Sequence, residues 1–286
     1  MFYVENFRSI NGERAMSLGL QIKQQLQTNL AQAHSDTNEA LNNSLRLLAK
    51  WRSALIQNTL LEREGTRVLQ GPLAGLDFVA RSSEGCHVAK LLGCYEQPLQ
   101  PYIRAALSGR YTKIINIGCA EGYYAVGFAK AVPELISLAY DTDPKAQIAC
   151  RELAEKNGVS DRVEVGGVFV PGDFAKYENQ AALVFCDIEG MEDDLLDPNV
   201  APALRSLDII VESHECLQPG ITQKLLSRFA ASHTIEVVED NGTRRLDALP
   251  SWFTKLSHLD QLLATWEWRS GPTPWLIMKV KSKARL

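Results

Sequence analysis

Four stretches carry side chains whose types and spacing suit chemistry on a bound ligand. The first is Gly118, Cys119, Ala120, Glu121, Gly122 and Tyr123, with Asn116 just before it. Two glycines four apart, after an apolar run and before a helical pattern, let the chain turn tightly at Gly118 and let a ligand approach at Gly122. The spacing is G-x-x-x-G rather than the dinucleotide pattern G-x-G-x-x-G. A plain strand–helix turn would ask for the same two glycines. The second stretch is Asp141 and Thr142, nineteen residues past Gly122 and at the end of the next apolar run. A carboxylate there can accept two hydrogen bonds from a ribose diol. Asp143 with Pro144 reads instead as the N-cap and first residue of a helix.

The third stretch runs through Asp187, Glu189, Gly190, Met191, Glu192, Asp193 and Asp194, a burst of acids after an apolar run. Asp193 and Asp194 suit the favourable negative charge of a helix start. Asp187, the first residue past the run, is expected to face a crevice and to steer a nucleophile or hold a cationic ligand. The fourth is Glu212, Ser213 and His214 after another apolar run. An imidazole of pKa roughly 6.5 suits proton transfer, although a single His more often serves structure. Asp187, Glu189, Glu212 and His214 also carry the donors of a divalent metal site. That spacing is not diagnostic, and no metal is expected.

The elements that position these residues follow from periodicity. Residues 113–117, 135–140, 162–168, 182–186, 207–211, 234–238 and 275–280 read as seven strands. Helices are expected over 122–131, from 143 to a stop at Asn157 and Gly158, and over 221–230. Alternating apolar strands and helices imply an α/β fold, a Rossmann-like, mostly parallel sheet with helices on both faces. Ligands then sit beyond the carboxyl ends of the strands, where all four stretches fall. Residues 66–69 and 76–80 alternate like short strands, and a helix is expected to end near Gly109. Residues 1–65 form a separate helical extension to a domain over 66–286. Its two helices, 14–33 and 37–62, turn at 34–37, and Leu41, Leu45, Leu48 and Leu55 form an apolar stripe broken by Arg52. Residues 12–62 are a hairpin packed on its own domain, a lid, or a homodimerisation arm.

The ordered set resembles class I S-adenosylmethionine (SAM)-dependent methyltransferases over about residues 66–281. Residues 114–129 look like that family's first motif and residues 140–144 like its second. The similarity is greatest to the FkbM-type branch, in which a Gly-aromatic-Glu segment precedes the first motif, as Gly93, Cys94, Tyr95 and Glu96 do here. That branch also ends its fourth strand in an Asp-x-Glu-Gly-x-Glu run, as in Asp187 to Glu192. The resemblance implies SAM as cofactor and S-adenosylhomocysteine as product. It implies cofactor contacts from Tyr95, Glu96, Asn116, residues 118–123, Asp141, Thr142 and Asp187, with Val168 or Asp173 beside the adenine. Asn116 stands where many relatives carry an acid near the methionine amino group. Asp187, Glu189 and His214 become the candidate catalytic group, and the expected reaction is O-methylation of a small-molecule or sugar-like acceptor. A non-catalytic SAM-binding or scaffold protein, dimerising through its N-terminal helices, is the alternative.

Composition narrows the field. Among 286 residues, 30 basic against 34 acidic side chains give a net charge of −4, which argues against a partner held chiefly by a basic surface, such as nucleic acid. The six cysteines form no C-x-x-C pair, so a zinc ribbon or thioredoxin-type site is not indicated. No basic segment leads into an apolar stretch at the start, and no run is long enough to span a bilayer. The expected setting is cytoplasmic, without a membrane partner. Trp252, Phe253, Trp266, Trp268 and Trp275 read as packing for the last strands. Arg244 and Arg245 read as a solvated loop, or as a hold on an anionic substrate group.

Overall fold

The computed structural model describes residues 18–31, 37–79, 85–247 and 249–281. Seven strands form one sheet: β1 Lys113–Ile117, β2 Ile136–Tyr140, β3 Val163–Gly166, β4 Ala182–Cys186, β5 Asp208–Glu212, β6 His233–Val238 and β7 Trp275–Val280. Their order is β3-β2-β1-β4-β5-β7-β6. The first five run parallel, and β7 enters antiparallel between β5 and β6. The sequence switches direction across the sheet between β1 and β4, the place where doubly wound sheets open a crevice at their carboxyl ends.

Nine helices lie among the described residues: α1 Leu18–Ala31, α2 Thr37–Glu64, α3 His87–Leu92, α4 Gln100–Ala106, α5 Tyr123–Ala131, α6 Pro144–Lys156, α7 Glu192–Leu195, α8 Ile221–Phe229 and α9 His258–Ala264. Helix α6 starts as its sequence dictates: the Asp143 side chain accepts from the Lys145 amide, with Pro144 in the first turn. One sheet face packs against α3, α4, α5, α6 and the last turns of α2, a core that holds Ile56, Leu60, Phe128, Phe185 and Trp275. The other face is covered by α8 through Ile221, Leu225 and Phe229, spaced four apart, and by short 3-10 turns at Pro171–Tyr177 and Pro202–Ser206.

Several expectations are corrected. Residues 66–69 and 76–79 are not strands. They meet through a single antiparallel bridge, Arg67 with Asp77, because Gly71, Pro72 and Gly75 leave room only for a turn. The helix toward Gly109 is broken into α3, a 3-10 turn at Gln97–Leu99, and α4, where Gly93 and Glu96 take positive φ. Strand β3 stops at Gly166, which leaves Val168 in an exposed loop. Helices α1 and α2 are present, but the turn at 34–36 and residues 12–17 lie outside the described residues. The leucine stripe is not buried: Leu41, Leu45 and Leu48 are exposed while Ala40, Ser44, Ser53, Ile56 and Leu60 face inward. Arg52, the polar break in that stripe, forms a two-pronged ion pair with Asp260 on α9, at 2.6 and 2.7 Å.

Candidate active site

The site has two halves, and they are built differently. The first is made of main chain. The Gly118 and Cys119 amides both donate to the Tyr140 carbonyl, at 2.8 and 3.0 Å, which ties the turn after β1 to the end of β2. Gly118 has φ +77, and a Cβ there would lie 1.6 Å from the Asp187 carbonyl oxygen. Its missing side chain is therefore occupied by the end of β4. Gly122, at φ +90, caps α5, and a Cβ there would lie 2.7 Å from the Cys150 sulfur. Both glycines answer to the packing of the chain on itself.

Asp141 is the exception in this half, a side chain aimed by backbone. Its Oδ2 accepts from the Ala120 amide at 2.8 Å and its Oδ1 from the Asp143 amide at 2.9 Å. It is half-buried, and each oxygen retains capacity to accept a further hydrogen bond. Asn116 is buried at 2% exposure: its Nδ2 lies 3.4 Å from the Phe185 carbonyl, and its Oδ1 has no partner. A buried acceptor left open in this way calls for a donor from elsewhere.

Other candidates from the sequence lie nearby in different roles. Glu121 is buried and paired with Lys90 at 3.0 Å, and the Lys90 ammonium lies 5.0 Å from the Tyr95 ring centroid and 5.7 Å from those of Phe78 and Tyr123. Glu121, Tyr95 and Tyr123 thus wall in a buried cation. Cys119 and Ala120 are buried, while Thr142 is exposed. Asp173 accepts from the Val170 amide and pairs with Lys176, so it holds its own 3-10 turn.

The second half is made of side chains at the ends of β4 and β5. The His214 Nδ1 hydrogen-bonds to Glu192 Oε1 at 2.6 Å. Its Nε2 faces Glu189 Oε2 at 3.4 Å, Asp187 Oδ1 at 3.5 Å and Glu212 Oε2 at 3.9 Å. Asp187 and His214 therefore converge, as their shared position after core strands implied. Glu189 sits at φ +53 followed by Gly190 at φ +99, a backbone form that a non-glycine residue adopts at a cost. That turn aims the Glu189 carboxylate back at His214 while leaving it 79% exposed. Burial pulls the His214 pKa down, but the Glu192 hydrogen bond and the surrounding carboxylates outweigh it, so the net shift is upward.

Behind this cluster lies a network that sequence reasoning missed. Arg269 pairs with Glu212, with Glu96 at 3.2 Å and with Glu267 at 3.4 Å. Arg244 pairs with Glu267 at 2.5 Å and with Asp240 at 2.6 Å. Arg244 is therefore not in a solvated loop: its side chain is 4% exposed because two carboxylates draw it inward. Glu96 accepts from the Tyr124 hydroxyl at 2.5 Å. Burial, reinforced by Glu212, pushes its pKa up to about 8 against the opposing pull of Arg269. The one available signal was the alternation of Glu267 and Arg269 with Trp266 and Trp268, charges set between large apolar residues.

The strand order, the antiparallel β7, the glycine turn after β1 and the acid after β2 define the class: the chain has the fold of class I SAM-dependent methyltransferases. More particularly, it is 31% identical over 156 residues to the ribosomal protein L11 methyltransferase of Photobacterium profundum, covering 54% of this chain and 42% of that protein. It is 39% identical over 59 residues to the protein of the same name from Vibrio parahaemolyticus, covering 21% and 19%. The chain thus spans less than half the length of these curated relatives. No family model matches. Among solved structures it resembles a putative O-methyltransferase from Klebsiella pneumoniae, with TM-score 0.45, 16% identity and coverage of 80% and 97%. It also resembles the O-methyltransferase TomG from Streptomyces achromogenes, with TM-score 0.43, 14% identity and coverage of 82% and 90%.

Proposed function

We propose that the chain is a SAM-dependent methyltransferase in which residues 66–286 form the catalytic unit and residues 1–65 a helical extension. The observation that carries this reading is the Asp141 carboxylate. Two backbone amides fix its direction beside the Gly118–Gly122 turn, at the strand switch where such sheets take nucleotides. The residues fit the cofactor: Asp141 can accept from both ribose hydroxyls, and the unpartnered Asn116 Oδ1 can accept from the methionine ammonium. SAM supplies an electrophilic methyl group on a sulfonium. The protein orients the acceptor's nucleophile toward it, and orientation is the main source of rate in such a displacement. Asp187, Glu189 and His214 face the acceptor side, and this group takes up the proton that a hydroxyl nucleophile must lose.

The FkbM-like runs at Gly93–Glu96 and Asp187–Glu192 support O-methylation of a small-molecule or sugar-like acceptor. The relatives' name supports a second reading, a protein acceptor. Labelled methyl transfer from SAM into fractionated cell extract separates the two: label in the low-molecular-mass fraction supports the first, label in a protein band the second. SAM binding without transfer to any fraction would leave a non-catalytic SAM-binding protein. The exposed leucines of α2 support homodimerisation through residues 12–62, and light scattering on a variant carrying Leu41→Ser, Leu45→Ser and Leu48→Ser, which leaves the buried Ile56 and Leu60 in place, tests it.

A further inference from the structure

We propose that Asp187, Glu212 and His214 bind one divalent cation, with Glu189 as a fourth, swinging ligand at the open side. One donor atom from each of the first three lies within 4.8 Å of the others. The separations are informative. At 3.4, 3.5 and 3.9 Å from His214 Nε2, the carboxylate oxygens are too far for good N–H···O hydrogen bonds, whose length is about 2.9 Å. Donors placed around one ion at about 2.1 Å from it lie roughly 3.0–3.5 Å from each other. The Asp187 and Glu189 oxygens are thus spaced from Nε2 as ligands around a shared centre, and the Glu212 oxygen, at 3.9 Å, needs a shift of a few tenths of an ångström to join them.

The other imidazole nitrogen supports the same conclusion. Glu192, fully buried, accepts from Nδ1 at 2.6 Å, the carboxylate–histidine arrangement that fixes the tautomer with the Nε2 lone pair directed outward. That lone pair faces the three carboxylates. Glu192 is itself held, its Oε1 also accepting from the Gly190 amide at 3.0 Å, while its Oε2 is buried without a partner. Charge points the same way. Asp187, Glu189, Glu192 and Glu212 place four acids around one imidazole, and Arg269 pairs with the far oxygen of Glu212. A cation between Asp187, Glu212 and Nε2 would relieve that excess. One nitrogen with two or three carboxylate oxygens suits manganese, iron, zinc or magnesium ions over softer metals. Three protein donors leave coordination positions open for an acceptor oxygen, which ties the ion to the acceptor side of the methyltransferase reading, on which its role rests.

Mn²⁺ is the probe. The full chain, stripped with chelator and free of SAM, is titrated with MnCl₂ and followed by calorimetry and by the paramagnetic resonance of free Mn²⁺. One equivalent is expected to bind, with a nitrogen coupling in the pulsed spectrum that His214→Ala abolishes. Asp187→Asn and Glu212→Gln should weaken binding at least tenfold, and the exposed Glu189→Gln, which leaves the buried packing intact, by threefold or more. Asp161→Asn, on a distant exposed acid, should bind as the parent does. No bound equivalent at millimolar Mn²⁺, or parental affinity in both Glu189→Gln and Asp187→Asn, overturns the site. SAM calorimetry on the same samples keeps the two readings apart: Mn²⁺ without SAM binding sinks the methyltransferase and spares the ion, and the converse does the reverse.

Discussion

The two halves of the site solve the problem of placing polar groups at the end of a buried sheet in opposite ways. Beyond β1 and β2 the chain uses its own amides: Asp141 is aimed by two N–H groups, and the one buried acid of that turn, Glu121, is paired with Lys90. Beyond β4 and β5 it packs carboxylates around one imidazole and steadies them from behind with Arg269 and Arg244, which come from a distant part of the sequence. The first arrangement is low in cost and rigid. The second stores electrostatic tension that protonation, an ion or a substrate can release. A binding role suits the former, and a reactive role suits the latter.

That contrast can be broken most directly at His214. His214→Ala should lower methyl transfer by ~10²–10⁴, the usual range for loss of such a group, while SAM affinity by calorimetry stays within about twofold. A matching loss of SAM affinity would merge the two halves. The next effect belongs to the amide-built half. Asp141→Ala should cost about 1.5–3 kcal/mol of SAM binding, as for a charged hydrogen-bonded contact, and unchanged affinity in the folded variant removes the ribose assignment.

The third test is of stability against pH. Glu96 has its folded pKa raised to about 8, so the folded chain holds a proton that the unfolded chain has already released. Between the ordinary carboxylate range and pH 8 the folded state binds more protons, and stability from this group must fall as pH rises. Glu96→Gln keeps an acceptor for Tyr124 and removes the titration. Its melting temperature should gain on the parent by several degrees between pH 5 and pH 8, and parallel curves would show that Glu96 is ionised in the fold throughout. The smallest effect is expected outside the site, where Arg52→Ala should cost about 1 kcal/mol or less because Arg52 is substantially exposed. Thermal melts are the check, and a larger loss would mean that α2 is clamped to α9 chiefly by this pair.

How well the sequence could be read follows the same division. Gly118, Gly122 and Asp141 were visible because main-chain sites depend on residue type at fixed short spacing. Six of the seven strands matched within a residue or so at each end, because buried parallel strands are continuous apolar runs. The third strand ended early, at Gly166, where a Cβ would strike the Tyr140 ring. Asp187 and His214 were visible as polar residues immediately past such runs. Glu96 entered only through family resemblance, Arg244 was read as a loop residue or an anion hold rather than as a buried partner of acids, and Arg269 and Glu267 were not found at all. Their partners lie up to 173 residues away, and no local periodicity records a contact of that range. The leucine stripe of α2 misled for a related reason: amphipathicity shows that a face is apolar, and leaves open what covers it.

The position of β7 has a consequence for how the molecule comes into being. Strand β6 pairs with β7 and with no other described strand, and β5 meets the far side of the sheet only through β7. During synthesis, at about 5–20 residues per second, β5 and β6 emerge first and must wait without each other until residues 275–280 arrive. Arg269 comes with that last delivery. The acids after β4 and β5 therefore exist in the nascent chain before their counter-charge does. A ribosome-bound chain should acquire its cofactor half early and its acid half only as the final strand threads into place.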